Sequence, residues 1–470
     1  MRAAALLPLL CALLCVAPAR AGDSTQAAAS PLDRYVKKPQ PRYGWEVKSS
    51  ETRPDGVRWV RLVLTSQEWQ GLLWKHRLNL VVPPAATGAR ARPGHAVLFM
   101  TGTGGEGETL LVASTLALRI GAPVAVLHDI PNQPLFKEQT GKKLKEDALI
   151  AYTFVRYLET GDEEWPALFP MVRSCMAAMD ALGEYSAQQV RAQQAQAAPA
   201  GSKDAWAHGK LTKFVTTGGS KRGWTTWLSA VTDPRVVGVA PIVYDNLNVA
   251  EQMRLHYQTF GKPSPSIHDY TDAGLIDAMK TPRGRHLMDM VDPFTYRSRI
   301  TVPKLALIGT NDTYWPLEAI HAYAHEMPGE LRCHYVPNAG HGAGLSVIGA
   351  LAGFFDEVSG RTAKLPDVKM VILPRAKATF EPLEGGARIQ KVRLWGSHVV
   401  GREFTKSKWV RVDATRLTRG WEAPLPQDTV GDQGRSAYIG ELEVLDSARE
   451  TFTIHTPVQV WDLGPGTQEK

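Results

Sequence analysis

The sequence predicts an α/β fold: a mostly parallel sheet with helices on both faces, helical insertions at one edge, and an all-β module at the C-terminus. Three observations predict it. Six short, nearly continuous apolar runs, at residues 95–100, 122–127, 211–217, 236–244, 302–308 and 331–336, are mostly separated by helix-like segments. Strands covered on both faces lack the polar alternation of a one-sided sheet. Upstream, residues 57–65 alternate apolar and polar side chains and 76–82 do so more loosely, which reads as two antiparallel strands joined through Gln67-Glu68-Trp69-Gln70-Gly71. Beyond residue 362, short alternating segments separated by turn residues take over.

The N-terminus comes first. Arg2 precedes an apolar run over 3–16, and Ala19-Arg20-Ala21 has the small-residue form of a signal-peptidase site. Residues 1–21 therefore read as an export signal, too short to span a bilayer. The expected destination is the periplasm or the extracellular space after cleavage near Ala21, with no transmembrane segment. Loss of Arg2 and Arg20 takes the formal charge from +7 to +5. Acids and bases are interspersed, so nothing suggests a nucleic-acid partner. Cys175 and Cys333 remain in the mature chain; export permits a disulfide, and two buried thiols fit the sequence equally well.

Residues 22–50 form an N-terminal extension and 51–362 the α/β domain. Two insertions exceed what a strand–helix alternation needs. The first, 129–210, has helical stretches at 146–158 and 167–182 and an Ala/Gln-rich tract at 188–200. The second, 246–300, is partly helical and rich in His, Tyr and Met. One or both are expected to form a cap over the sheet edge. Lys364-Leu365-Pro366 reads as a linker, and 366–465 as an immunoglobulin-like β-sandwich with strands near 368–373, 391–395, 409–412, 437–445 and 451–460.

The chemistry starts at Gly218-Gly219-Ser220-Lys221-Arg222-Gly223-Trp224. It follows Phe214-Val215-Thr216-Thr217 and opens a helix-like stretch over 224–231. Strand, tight turn, serine and helix are the setting of a nucleophile elbow, although Arg222 stands where the usual G-x-S-x-G motif has glycine. Further on, an apolar strand ends in Gly309-Thr310-Asn311-Asp312, and another ends in Pro337-Asn338-Ala339-Gly340-His341-Gly342 before a last helix at 344–358. Serine, acid, histidine is the chain order of α/β-hydrolases. His341 can accept the Ser220 proton near neutral pH, and Asp312 can hold the imidazole tautomer. Asp245 is the rival acid, and Asp129 reads as structural. The oxyanion hole is expected from the backbone N–H of Lys221 and from Thr103 or Gly104 in the loop Thr101-Gly102-Thr103-Gly104-Gly105. The cationic side chains of Lys221 and Arg222 fit either salt bridges at a helix start or recognition of an acidic substrate group. Arg222, Trp224 and Trp315 are candidate substrate contacts, and Tyr314 lies beside them. His325, His334 and His341 lack a metal-ligand spacing, so no cofactor or metal is expected.

Several longer stretches resemble the PhoPQ-activated pathogenicity-related protein family, which also includes secreted proteins resembling autocrine proliferation repressors. They are Thr217-Gly218-Gly219-Ser220-Lys221-Arg222-Gly223-Trp224-Thr225-Thr226-Trp227, Pro131-Asn132-Gln133-Pro134-Leu135, Trp165-Pro166-Ala167-Leu168-Phe169-Pro170-Met171 and Gly309-Thr310-Asn311-Asp312. The resemblance runs from about residue 57 to the C-terminus and includes Val392-Arg393-Leu394-Trp395. It implies a secreted α/β-hydrolase whose Ser-Asp-His triad is Ser220, Asp312 and His341, and it leaves the substrate open. The expected activity is that of a serine hydrolase, an esterase or peptidase acting on a small molecule or peptide. The alternative is a catalytically silent binding or signalling protein that meets a cell-surface partner through its sandwich.

Overall fold

A computed structural model describes residues 29–85, 91–195, 206–373, 376–384, 388–446 and 449–463; the expected export signal lies outside them. The chain opens with a short helix, α1 (Pro31–Val36), and an antiparallel meander of β1 (Gly44–Thr52), β2 (Arg58–Trp69) and β3 (Leu72–Val82). Gln70 and Gly71 both have positive φ, 50° and 72°, so the predicted join is a two-residue turn whose twist suits paired strands.

The parallel strands follow: β4 (His95–Met100), β5 (Val124–Leu127), β6 (Lys213–Gly219), β7 (Val236–Ile242), β8 (Lys304–Gly309) and β9 (Leu331–Val336). The spatial order is β1-β2-β3-β5-β4-β6-β7-β8-β9, antiparallel as far as the β3–β5 pair and parallel from β5 onward. Ala96, Leu98 and Met100 of β4 enter one core, while Val97 enters the other. Both faces are apolar, hence the continuous runs. Helices α2 (Glu106–Ile120) and α11 (Val347–Val358) cover one face. The other face carries α5 (Leu168–Ala195) and α6 (Lys221–Thr232).

The insertions divide differently from expectation. From the first come α3 (Lys137–Thr140) and α4 (Glu146–Thr160). From the second come α7 (Val249–Phe260), α8 (His268–Asp272), α9 (Leu275–Ala278) and α10 (Pro282–Val291). Helix α4 packs against α8, α9 and α10 to make the cap. Helix α5, expected within a cap insertion, instead lies against β2, α6 and α1 as a layer of the main domain. It runs through the start of the Ala/Gln-rich tract, and residues 196–200 lie outside the described residues. Among the described residues no helix is long and apolar enough to cross a membrane.

The C-terminal strands are β10 (Asp367–Leu373), β11 (Lys377–Glu384), β12 (Ile389–Val399), β13 (Val410–Asp413), β14 (Thr415–Arg416), β15 (Trp421–Pro424), β16 (Gly434–Leu445), β17 (Thr451–His455) and β18 (Gln459–Leu463). One antiparallel sheet has the order β10-β11-β15-β14. In the other, β13, β12 and β16 are neighbours, and β17 and β18 both lie along β16. Met370, Phe380 and Trp421 from the first sheet and Val392, Leu394 and Leu442 from the second share one core. The module is joined to the main domain more closely than a linker implies. His455 of β17 pairs with Cys333 of β9, so the α/β sheet continues into the module as one sheet of 14 strands among the described residues. Cys175 and Cys333 are free and buried, and burial pushes both thiols well above their usual range.

Candidate active site

Ser220 sits between β6 and α6 with φ 57° and ψ −123°, a backbone region that non-glycine residues occupy only when their surroundings enforce it. Its N–H donates to the Ile242 carbonyl at 2.8 Å, and its own carbonyl accepts from the Trp224 N–H at 3.0 Å. The glycines around it divide by need. A Cβ on Gly218 would stand 2.7 Å from the Arg222 Cβ and 2.9 Å from the Met100 carbonyl oxygen. One on Gly223 would stand 2.7 Å from the Tyr244 Cβ and 3.1 Å from the Ile242 oxygen. Gly219 has open space. The glycine that looks late in the sequence is therefore the one that lets α6 lie against the end of β7.

His341 Nε2 lies 2.9 Å from Ser220 Oγ, and its Nδ1 lies 2.8 and 3.0 Å from the two carboxylate oxygens of Asp312. Asp312 is buried and also accepts the Tyr314 N–H at 2.8 Å. With Asp312 ionised, Nδ1 donates to it and Nε2 is left to accept from the serine hydroxyl. The Tyr314 ring stacks on the imidazole, with centroids 3.9 Å apart. Asp245, the rival acid, is held elsewhere: it accepts the Tyr323 hydroxyl at 2.6 Å, and burial pushes its carboxyl up to about 7 against the opposing pull of that hydrogen bond. Asp129, read from the sequence as structural, is paired with Arg77 at 3.0 and 3.1 Å.

The acid and base loops interlock. Asn311 N–H donates to the Ala339 carbonyl at 2.9 Å, and Asn338 N–H donates to Thr310 Oγ1 at 2.9 Å. Both loops are gripped by the C-terminal module. Asn311 Nδ2 donates to the Ser407, Phe404 and Thr405 carbonyls at 2.7, 3.2 and 3.3 Å. Asn338 exchanges two bonds with the Trp409 backbone, accepting at 2.8 Å and donating at 3.1 Å. Neither asparagine was singled out from sequence. Asn311 adjoins Asp312 and Asn338 lies three residues before His341, but in a turn an asparagine is ordinarily a backbone-conformation residue.

The cations beside Ser220 are salt-bridged. Arg222 forms a two-pronged pair with Glu146 at 2.7 and 2.8 Å, and its Nε donates to the Ile130 carbonyl. Lys221 Nζ meets Glu146 at 2.9 Å and Asp147 at 3.2 Å. Burial raises the Glu146 carboxyl, but the Arg222 and Lys221 cations outweigh it and hold it well below the carboxylate range. Arg222, a candidate substrate contact from sequence, is engaged in this pair and is not among the residues lining the cavity beside Ser220; it fastens the start of α4 to the elbow. Trp224 and Trp315 do face that cavity. With its mouth it holds about 690 Å³ of empty space, and Ser220, Lys221 and Tyr314 are also on its wall. Trp224 is fixed by its indole N–H to the Val291 carbonyl at 2.6 Å and by stacking on Tyr244.

The backbone N–H of Lys221 opens α6, where the first N–H groups of a helix lack intrahelical partners. Thr103 and Gly104 lie in the exposed loop after β4, whose last residue, Met100, pairs with Gly218 of the elbow strand. Among the described residues no group of three His, Cys, Asp or Glu side chains is placed to hold a metal ion.

Autocrine proliferation repressor protein A of Dictyostelium discoideum is 30% identical over 328 residues, 67% of this chain; the chain spans 61% of that relative's length. Among solved structures, the acetyl xylan esterase of Paenibacillus sp. R4 is similar over 69% of this chain and 91% of its own, with 13% identity and a TM-score of 0.47. A puromycin hydrolase is similar over 69% and 40%, with 17% identity and a TM-score of 0.39. Residues 32–404, from α1 to the segment that grips the acid and base loops, match the family model of the PhoPQ-activated pathogenicity-related proteins, and the chain belongs to that family.

Proposed function

We propose that this chain is a serine hydrolase of the α/β-hydrolase type that cleaves an ester or amide bond through an acyl-enzyme on Ser220. The observation that carries the reading is the unbroken hydrogen-bonded series Ser220–His341–Asp312 at the wall of a cavity. As Ser220 Oγ bonds to the substrate carbonyl carbon, His341 Nε2 takes the hydroxyl proton and Asp312 stabilises the imidazolium. The oxyanion is received by the Lys221 N–H and by an N–H of the Thr103–Gly104 loop, each such donor contributing about 10²–10³ in kcat. The tetrahedral centre collapses, the bond to the leaving oxygen or nitrogen breaks, and His341 returns the proton to it. Water then repeats the sequence and frees Ser220. The left-handed φ of Ser220 supports an active rather than a silent site, because strain of about 1–3 kcal/mol is typically retained where function needs it.

A fluorophosphonate probe tests the proposal. Stoichiometric labelling that disappears in Ser220→Ala is expected; absent labelling, or labelling that survives the substitution, refutes it. Export is part of the same proposal and rests on residues 1–21, with a mature N-terminus near Gly22 expected by mass spectrometry of the secreted chain. The immunoglobulin-like reading of the module is supported by strand order: β10-β11-β15-β14 faces β17-β16-β12-β13, the A-B-E-D and G-F-C order with two added strands, β13 beyond β12 and β18 along β16.

A further inference from the structure

The cavity beside Ser220 has a chemistry of its own. Its walls come mainly from Phe154, Trp224, Tyr244, Met253, Met279 and Met288, with aliphatic side chains of α8 and α9's neighbourhood completing them. Two charged residues line it, Asp147 and Lys221, and both are matched. Lys221 is bonded to Glu146 and Asp147. Asp147 also accepts the Tyr270 hydroxyl at 2.9 Å and the Tyr314 hydroxyl at 3.3 Å. Lys221 and Arg222 together balance Glu146 and Asp147, so the wall offers no spare charge to a ligand. Two neutral polar groups without a hydrogen-bond partner remain on the wall, both buried: Asn246 Oδ1 and, near it in sequence, the Tyr244 hydroxyl.

We infer that this cavity takes a bulky, uncharged apolar group of the substrate, an aryl group or an alkyl chain of several carbons, with Asn246 receiving a neutral N–H or O–H on it. The inference rests on the hydrolase reading and names the substrate class for that site. A carboxylate or ammonium entering would lose its water and find no counter-charge, a heavy penalty in a low-dielectric pocket. The acidic substrate group that Lys221 and Arg222 suggest in the sequence is thereby replaced by an apolar one. Three flexible methionine side chains let the walls adapt, so selection acts on polarity and bulk more than on exact shape.

The test uses the full mature chain and p-nitrophenyl esters of acetate, hexanoate and adipate, the last being hexanoate with a terminal carboxylate. A parallel series, ethyl against hexyl acetate, covers binding of the alcohol side. Each methylene buried raises kcat/KM about fourfold, so the longer neutral member of one series is expected to exceed the shorter by on the order of a hundredfold. The adipate monoester is expected to fall back to the level of acetate or below. Met279→Trp, which fills the cavity, is expected to flatten the chain-length dependence. Asn246→Leu is expected to lower kcat/KM about tenfold on the p-nitrophenyl ester of N-acetyl-leucine while leaving the hexanoate-to-acetate ratio unchanged.

A labelled enzyme with no rise in either series, or one that hydrolyses adipate as well as hexanoate, overturns the inference and leaves the hydrolase reading standing. An equal loss on both esters in Asn246→Leu removes Asn246 from the site. A chain that does not react with fluorophosphonate at Ser220 overturns the hydrolase reading, and the cavity assignment falls with it.

Discussion

Two alanine substitutions three positions on and one position before Ser220 should part company. At Gly223, the added methyl would lie 2.7 Å from the Tyr244 Cβ, 3.1 Å from the Ile242 oxygen and 3.2 Å from the Gly218 oxygen, where carbon contacts prefer about 3.5–4.0 Å. Two of those neighbours are strand backbone and cannot swing aside, so overpacking sits near the upper end of its usual range, about 3 kcal/mol. Alanine recovers about 1 kcal/mol as the better helix former inside α6, leaving a net loss of about 2 kcal/mol. At Gly219 nothing lies within 4 Å and φ is not left-handed, so alanine is expected to be neutral or to stabilise by about 0.5 kcal/mol through the unfolded chain. Urea unfolding with a common slope reads the difference as a shift in midpoint. The active site reads it too: relief of the Gly223→Ala clash moves α6 and Ser220, and a shift of about 1 Å lowers the fluorophosphonate labelling rate on the order of a hundredfold. Equal midpoints and equal labelling rates for the two variants would refute this account of the elbow.

Asp312→Asn should lower kcat by about 10⁴ by stabilising the wrong imidazole tautomer, whereas Asp245→Asn should keep most activity; the reverse ranking in steady-state assays would move the acid to Asp245. Asp245 also predicts a pH effect. Its carboxyl rises on folding from 3.8 to about 7, so the folded chain holds the extra proton and stability declines as pH climbs through that window. Wild type should therefore lose stability relative to Asp245→Asn between pH 5 and pH 8 in paired melts. Glu146→Gln leaves buried Arg222 without its carboxylate; the Glu146 side chain is 44% exposed, so the expected loss is about 2 kcal/mol rather than the full value for a buried pair. Glu146 is depressed on folding, so its stabilisation is complete above its unfolded value of 4.5 and fades as pH falls below it; the variant should lack that acid-side decline. Asn338→Ala frees the His341 loop from Trp409 and should cut kcat roughly tenfold or more with KM little changed; equal loss in both would argue against a positioning role.

Much of this was legible in the chain because the deciding chemistry is local. A strand buried on both faces announces itself by residue type, and Asp312 and His341 stand directly after such strands, where side chains reach the sheet edge. What escaped depends on contacts far apart in sequence. Helical periodicity marks α5 but does not say whether it caps the site or covers the sheet; β2 and α6 decide that. The sequence leaves Lys221 and Arg222 open between salt bridging and substrate recognition, because their partners, Glu146 and Asp147, arrive from a distant helix. The β17–β9 pairing is made by backbone groups, which leave no side-chain signature.

The grip on the loops that carry Asp312 and His341 ties their geometry to a segment made later in the chain. Synthesis delivers Ser220, Asp312 and His341 before the segment that contains Phe404, Ser407 and Trp409. A nascent chain therefore owns every reacting group while the loops bearing two of them still lack their fastening. On the hydrolase reading, labelling of Ser220 would therefore report docking of the C-terminal module as well as the presence of the triad residues.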